Sequence, residues 1–524
     1  MRKRNAVKRI AAVLASACLI VSMLATTVMA KPATKNEVGS LKITSSSTTG
    51  TGLKGYTFDL YKVAKIGFDE SGNMTYTAEK DYESALNGLA NLEDQTEVQK
   101  KLSVLSDAAT GPATKTENVT EEKKSVVFTG LELGYYLVKV TAPKGASATS
   151  DFLVSIPSTK DDGTDLNYNV EVKLKTTTVD ISKKGEILDA TGNPTTAKSG
   201  NVGDKIKFTL EFHVPDTTGF TQYTYKITDT MSKGLQYANG SLKVSMDKNK
   251  TGVYTEIDSL KYSLKVNGPD VSTKKTEITV DFQKNLFAKA DKTGNVAEYP
   301  VGAPLKVEYE ATITKDAIDT ASTGMTNKAV LTYSNNPGED GVGTTDDIPS
   351  DEPKFFTFNL KLNKSFVPAP GDFSKVKFTL DGVKLSEKED SNGGEYVVDP
   401  NGISGQELSL NTGDGTLKIY GLAEGTYYLN EVKTADGYNL LKDKVKVVIK
   451  ATYGEDGKPN GSAEGSNKID LATYFVNTDV VNKKGFTLPS TGGQGMVALV
   501  AAGICLMAAM AALMVSYMRK RRNA

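Results

Sequence analysis

Tyr56-Thr57-Phe58-Asp59-Leu60-Tyr61-Lys62-Val63 sets apolar and polar side chains at alternating positions near the start of the chain. Successive side chains on a strand point to opposite faces, so a period of two marks a half-buried antiparallel strand. Residues 205–212, 306–313 and 444–449 repeat the pattern. Such stretches recur throughout between Gly, Asn, Asp and Pro, and many short strands of this kind predict an all-β chain of sandwiches or barrels. One region departs from it: Leu86, Leu89, Val98, Leu102 and Leu105, within 82–105, fall at helical spacing. A helix or two inserted into the first domain is expected there.

Working outward, Gly134-Tyr135-Tyr136-Leu137-Val138-Lys139-Val140 matches Gly425-Thr426-Tyr427-Tyr428-Leu429-Asn430-Glu431 in length and pattern. Each follows a Gly-Leu turn, Gly130-Leu131 and Gly421-Leu422. The first and third domains therefore read as copies of one β-module, with Val140 standing where Glu431 stands. A threonine run at 176–178 and an acidic, glycine-rich stretch at 335–353 mark the boundaries. That stretch and 161–165 cluster carboxylates without EF-hand spacing, so solvated loops are expected, and no metal or cofactor.

The two ends place the chain. Arg2, Lys3, Arg4, Lys8 and Arg9, an apolar run over 10–24 and a close on Val28-Met29-Ala30 form a secretory signal, cut after Ala30. Residues 496–518 carry no charge and would rise about 34 Å as a helix, enough to cross a bilayer. Arg519, Lys520, Arg521 and Arg522 follow and hold the cytoplasmic side, so everything before the span lies outside the cell. Both cysteines, Cys18 and Cys505, sit in these ends. An exterior without disulfides invites a search for another covalent staple.

Composition removes several classes of function. Lys+Arg and Asp+Glu balance at 63 each, so no long-range field points to nucleic acid or acidic lipid. A single histidine, His213, has no nucleophile motif beside it and no cysteine to share a zinc ion. A turnover enzyme is not expected.

Leu488-Pro489-Ser490-Thr491-Gly492, then an apolar span, then a basic tail, resembles the cell-wall sorting signal of sortase substrates. The resemblance implies that sortase cuts between Thr491 and Gly492 and holds the Thr491 carbonyl as a thioester, which an amine then resolves. Residues 31–491 resemble the major pilins of Gram-positive bacteria, in which a lysine near the end of the first domain attacks the thioester of the next subunit. Asn167-Tyr168-Asn169-Val170-Glu171-Val172-Lys173-Leu174-Lys175 resembles the pilin motif, usually Val-x-Val-Tyr-Pro-Lys, with Lys173-Leu174 in place of Tyr-Pro. Strand period puts Val170, Val172 and Leu174 on one face and Glu171, Lys173 and Lys175 on the wet one. Lys175 is the expected acceptor and Lys173 its competitor.

The second domain resembles the fimbrial isopeptide-forming domain and the third the collagen-adhesin B-type (CnaB) module. Both families tie first strand to last through a Lys-Asn amide assisted by a buried Asp or Glu. Strand period independently turns Lys364 inward with Leu360 and Leu362, Asn482 with Val476 and Val480, and Glu431 with Leu429. In the second domain Lys183 shares a face with Val179 and Ile181, Asp229 with Ile227, and Asn327 with Ala329, Leu331 and Tyr333. Burial would deprotonate each lysine and keep each carboxyl protonated, and folding would supply the effective concentration. The alternative for each triad is a buried ion pair with a hydrogen-bonded Asn. Tyr428 to Tyr438 also resembles the pilin E-box, with Asp436 where proline is usual. Lys42 faces away from Leu41 and Ile43, and with Val140 in the glutamate's place the first domain should carry no staple.

The expected fold is all-β, with tandem Ig-like or Cna-type β-sandwich domains and a small helical insertion in the first. The expected order is signal peptide 1–30, N-terminal CnaB-like pilin domain 31–175, isopeptide-forming fimbrial domain 176–350, C-terminal CnaB-type domain 351–487, sorting motif 488–492, transmembrane segment 496–518 and basic tail 519–524. The expected function is a pilus shaft subunit joined by sortase and anchored at the Gram-positive cell surface. Its partners would be sortase, identical subunits, the peptidoglycan precursor, accessory pilins and a host or surface ligand. A monomeric wall-anchored adhesin or an accessory pilin is the alternative, differing in whether Lys175 is used.

Overall fold

The computed structural model describes residues 38–45, 52–70, 74–86, 101–143, 146, 151–159, 165–174, 179–320, 323–335, 341–485 and 494–522. Up to residue 485 the regular elements are overwhelmingly strands, arranged as face-to-face sheets.

In the first domain Val38–Ser45 lies between Asn169–Leu174, to which it is parallel, and Ser125–Glu132. Opposite this sheet stands another, built on Thr57–Phe68 and Gly134–Thr141. Leu41, Ile43, Phe58, Leu60, Phe128, Val138 and Val172 fill the space between. Gly134–Thr141 breaks the rule of two, being buried at five successive positions. Its second face is covered by the short helices Glu83–Leu86 and Leu102–Ala108, whose Leu86 and Leu105 pack with Tyr135, Leu137 and Leu153. The expected helical insertion is thus present, and it roofs the outer face of a sheet; residues 87–100 lie outside the described part.

The second domain sets Ile181–Ile187, Lys205–His213 and Pro304–Ile313 in one sheet and Tyr225–Met231, Thr276–Phe282 and Met325–Asn335 in the other. Thr344–Pro349 corrects the reading of 335–353 as loop: it forms an edge strand against Met325–Asn335. Neither face of this edge strand is deeply buried, so its sequence carries no apolar alternation to betray it.

In the third domain the first strand, Phe358–Val367, lies parallel to the last, Phe475–Lys483, from Asn359↔Phe475 to Val367↔Lys483. Its other neighbour is Thr416–Leu422, and the sheet packs on one built from Lys377–Leu380, Gly425–Lys433 and Val445–Ile449. The module is the first domain repeated. Tyr136 Oη donates to the carbonyl of Glu132, and Tyr427 Oη donates to the carbonyl of Ala423, both at 2.8 Å and both four residues back.

Second and third domains share one continuous core, which runs through Phe355, Phe356 and Phe358. Backbone bonds cross the joint, Val202 N–H to the Gly421 carbonyl at 3.0 Å among them. Glu424 accepts from Ser199 Oγ at 3.1 Å and from Tyr453 Oη at 2.7 Å. After residue 493 a single helix, Gln494–Arg522, is long and apolar enough to cross a membrane, and it ends in Arg519, Lys520, Arg521 and Arg522.

Candidate functional site

Lys183, the third residue of its strand, follows Ile181 onto the inner face because side chains two apart share a face. Its Nζ contacts Asp229 Oδ1 and lies 5.2 Å from the centre of the Phe208 ring. Asp229 and Asn327 stand on neighbouring antiparallel strands, where Asp229 pairs with Ala329 and Met231 with Asn327. The two are therefore diagonal neighbours, beyond the reach of a side chain as short as aspartate. Tyr309 spans the gap. Its Oη donates to Asp229 Oδ2 at 2.7 Å, accepts from Asn327 Nδ2 at 2.6 Å and lies 3.5 Å from Lys183 Nζ.

The third-domain group is built without a tyrosine. Lys364, Glu431 and Asn482 come from three strands, and each is at least 95% buried. Glu431 is one methylene longer than aspartate and accepts directly from Asn482 Nδ2 at 2.8 Å through Oε2, which also accepts from Leu441 N–H at 2.9 Å. Its Oε1 lies 4.0 Å from Lys364 Nζ. Lys364 Nζ itself donates to the Ser365 carbonyl at 2.9 Å and sits 4.3 Å from the centre of the Phe366 ring.

Burial is the first cause of the state of both amines. Desolvation pushes Lys183 down to about 8 against the opposing pull of Asp229, and Lys364 down to about 8 against Glu431. Burial also holds the Tyr309 phenol well above its ordinary value, so it stays protonated. Asn327 Oδ1, Asn482 Oδ1 and Glu431 Oε1 are buried with no hydrogen-bond partner among the described residues. Orphaned polar atoms in a core are costly, and these belong to the carboxamide of each group and to one of the carboxyls. An amine near neutrality, a carboxyl and a carboxamide in a dry site can form an amide and release ammonia.

The first domain lacks the set. Counting from the Gly-Leu turns, Leu41 pairs with Phe128 as Leu360 pairs with Ile419, so Ser45 occupies the register of Lys364. Val140 stands where Glu431 stands, and Lys42 turns outward to an exposed pair with Glu171 at 3.3 Å. Val170, Val172 and Leu174 are buried and Glu171 and Lys173 exposed. Ala30, Lys175 and Leu488 to Gly492 lie outside the described residues.

Residues 480–524 match the LPXTG cell wall anchor motif family. Residues 372–458 match a prealbumin-like fold domain. A fimbrial subunit, type 1, of Actinomyces viscosus is 25% identical over 440 residues, 75% of this chain and 74% of that one. The chain thus carries a cell wall anchor motif and is similar to a Gram-positive fimbrial subunit. Among solved structures, the backbone pilin of Streptococcus pyogenes, described as a modular three-domain structure, superposes with a TM-score of 0.52 at 15% identity, covering 86% of this chain and 99% of that one. The match to the major pilin SpaD of Corynebacterium diphtheriae covers 86% of this chain and 98% of that one, with a TM-score of 0.48 at 19% identity. The matched anchor motif places the chain at the cell wall.

Proposed function

We propose that this chain is the shaft subunit of a covalent pilus, in which the Lys175 amine of one copy resolves the sortase thioester on Thr491 of the next. Exposure of Glu171 and Lys173 beside buried Val170, Val172 and Leu174 supports the reading, because the sequence sets Lys175 in phase with Glu171 and Lys173. The last subunit, resolved by a peptidoglycan precursor, would fix the shaft to the wall. Within each subunit the amides Lys183 to Asn327 and Lys364 to Asn482 would form on folding, with Asp229 and Glu431 as the assisting carboxyls. Each closes a loop of more than a hundred residues and, on the chain-entropy account, adds about 5 kcal/mol.

A denaturing gel of wall extracts tests the polymer. Native chain should give a ladder of multimers, and Lys175→Ala a single wall-attached band, since the thioester still forms. An undiminished ladder moves the acceptor to Lys173. A native chain with no ladder is instead a monomeric adhesin or an accessory pilin.

A further inference from the structure

We infer that Tyr309 is a catalytic residue of the second-domain amide, carrying a proton from the attacking amine's side of the site to the departing nitrogen. The inference rests on the proposed Lys183 to Asn327 bond. Lys183 Nζ contacts Asp229 Oδ1, Asp229 Oδ2 accepts from Tyr309 Oη at 2.7 Å, and Tyr309 Oη accepts from Asn327 Nδ2 at 2.6 Å. These contacts form an unbroken path from nucleophile to leaving group. Every member is buried.

The steps balance. Lys183, as the neutral amine, bonds to the Asn327 carboxamide carbon and gives one Nζ proton to the Asp229 carboxylate. As the bond from that carbon to Nδ2 breaks, Tyr309 gives its proton to Nδ2 and takes one from Asp229. Ammonia leaves, one Nζ proton has moved to it, and carboxylate and phenol return to their first states. The third domain shows why the second needs the tyrosine. Glu431 touches Asn482 Nδ2 itself at 2.8 Å, whereas Asp229 meets its asparagine only through the phenol.

The test follows bond formation in the full chain, made without sortase, by pulse labelling and mass analysis of the linked peptides. Tyr309→Phe should slow the Lys183 to Asn327 linkage by on the order of a hundredfold or more, the share general acid-base groups usually carry. The Lys364 to Asn482 linkage in the same molecules should form at the native rate. Asp229→Glu in the Tyr309→Phe chain should restore speed, because the longer carboxyl reaches Nδ2 directly. Tyr309→Phe at the native rate overturns the inference. So does a slow linkage in both variants, since the loss then follows from disturbed packing. A native chain without the linkage fails the underlying reading instead.

Discussion

Lys364 is a titratable amine only until its nitrogen enters an amide. In an Asn482→Ala chain no amide can form, and the buried amine keeps its depressed affinity for protons, near 8 against an unfolded 10.5. Between those values the unfolded chain binds more protons than the folded one, so folding stability should rise with pH from about 8 and level off near 10.5. The native chain, with Lys364 consumed, should lack that rise. Denaturant titrations across the window check it, and parallel curves for the two proteins would mean that Lys364 is free in both. The burial of Lys183, Asp229, Asn327, Lys364, Glu431 and Asn482 was legible from sequence because a strand's period of two decides which neighbour enters the core. Tyr309 was not legible. Along Pro304–Ile313 it alternates inward with Leu305, Val307 and Ala311, and a packing tyrosine gives the same pattern as one that relays a proton.

At the scale of elements, the strand Ile181–Ile187 offers adjacent amines with opposite fates. Lys183 is buried, while the Lys184 side chain is 59% exposed in a pair with Glu186 at 3.3 Å. The intact mass of the mature ectodomain should fall short of its sequence mass by two ammonias. Lys183→Ala should restore one of them and Lys184→Ala neither. A deficit surviving in Lys183→Ala would mean that the strand can slip by a residue, which would turn every inward side chain of Ile181–Ile187 outward. Elements with one wet face were readable in this way. Gly134–Thr141 is covered on both faces and Thr344–Pro349 only shallowly on one, so these two hide from a test based on alternation.

For the molecule as a whole, stapling and packing are unequal. The second and third domains share a core and a hydrogen-bonded joint, while the first has its own two cores, Ser45 in the register of Lys364 and Val140 in that of Glu431. Limited proteolysis should therefore digest residues 31–175 well before the remainder, and equal resistance throughout would count against asymmetric stapling. The all-β class and the anchor could be read from strand period and from the ends. The fused joint could not, because it depends on residues 199–204 meeting 421–424, far apart in sequence. The parallel pairing of Phe358–Val367 with Phe475–Lys483 has a mechanical consequence. Tension in the proposed shaft enters each copy at Lys175 and leaves at Thr491. It therefore pulls the start of one of these strands against the end of its neighbour, in shear along their whole shared length, so that their hydrogen bonds resist together instead of opening one by one. Residues 31–174 lie outside that line of force, and a domain that bears no load can do without a covalent clamp.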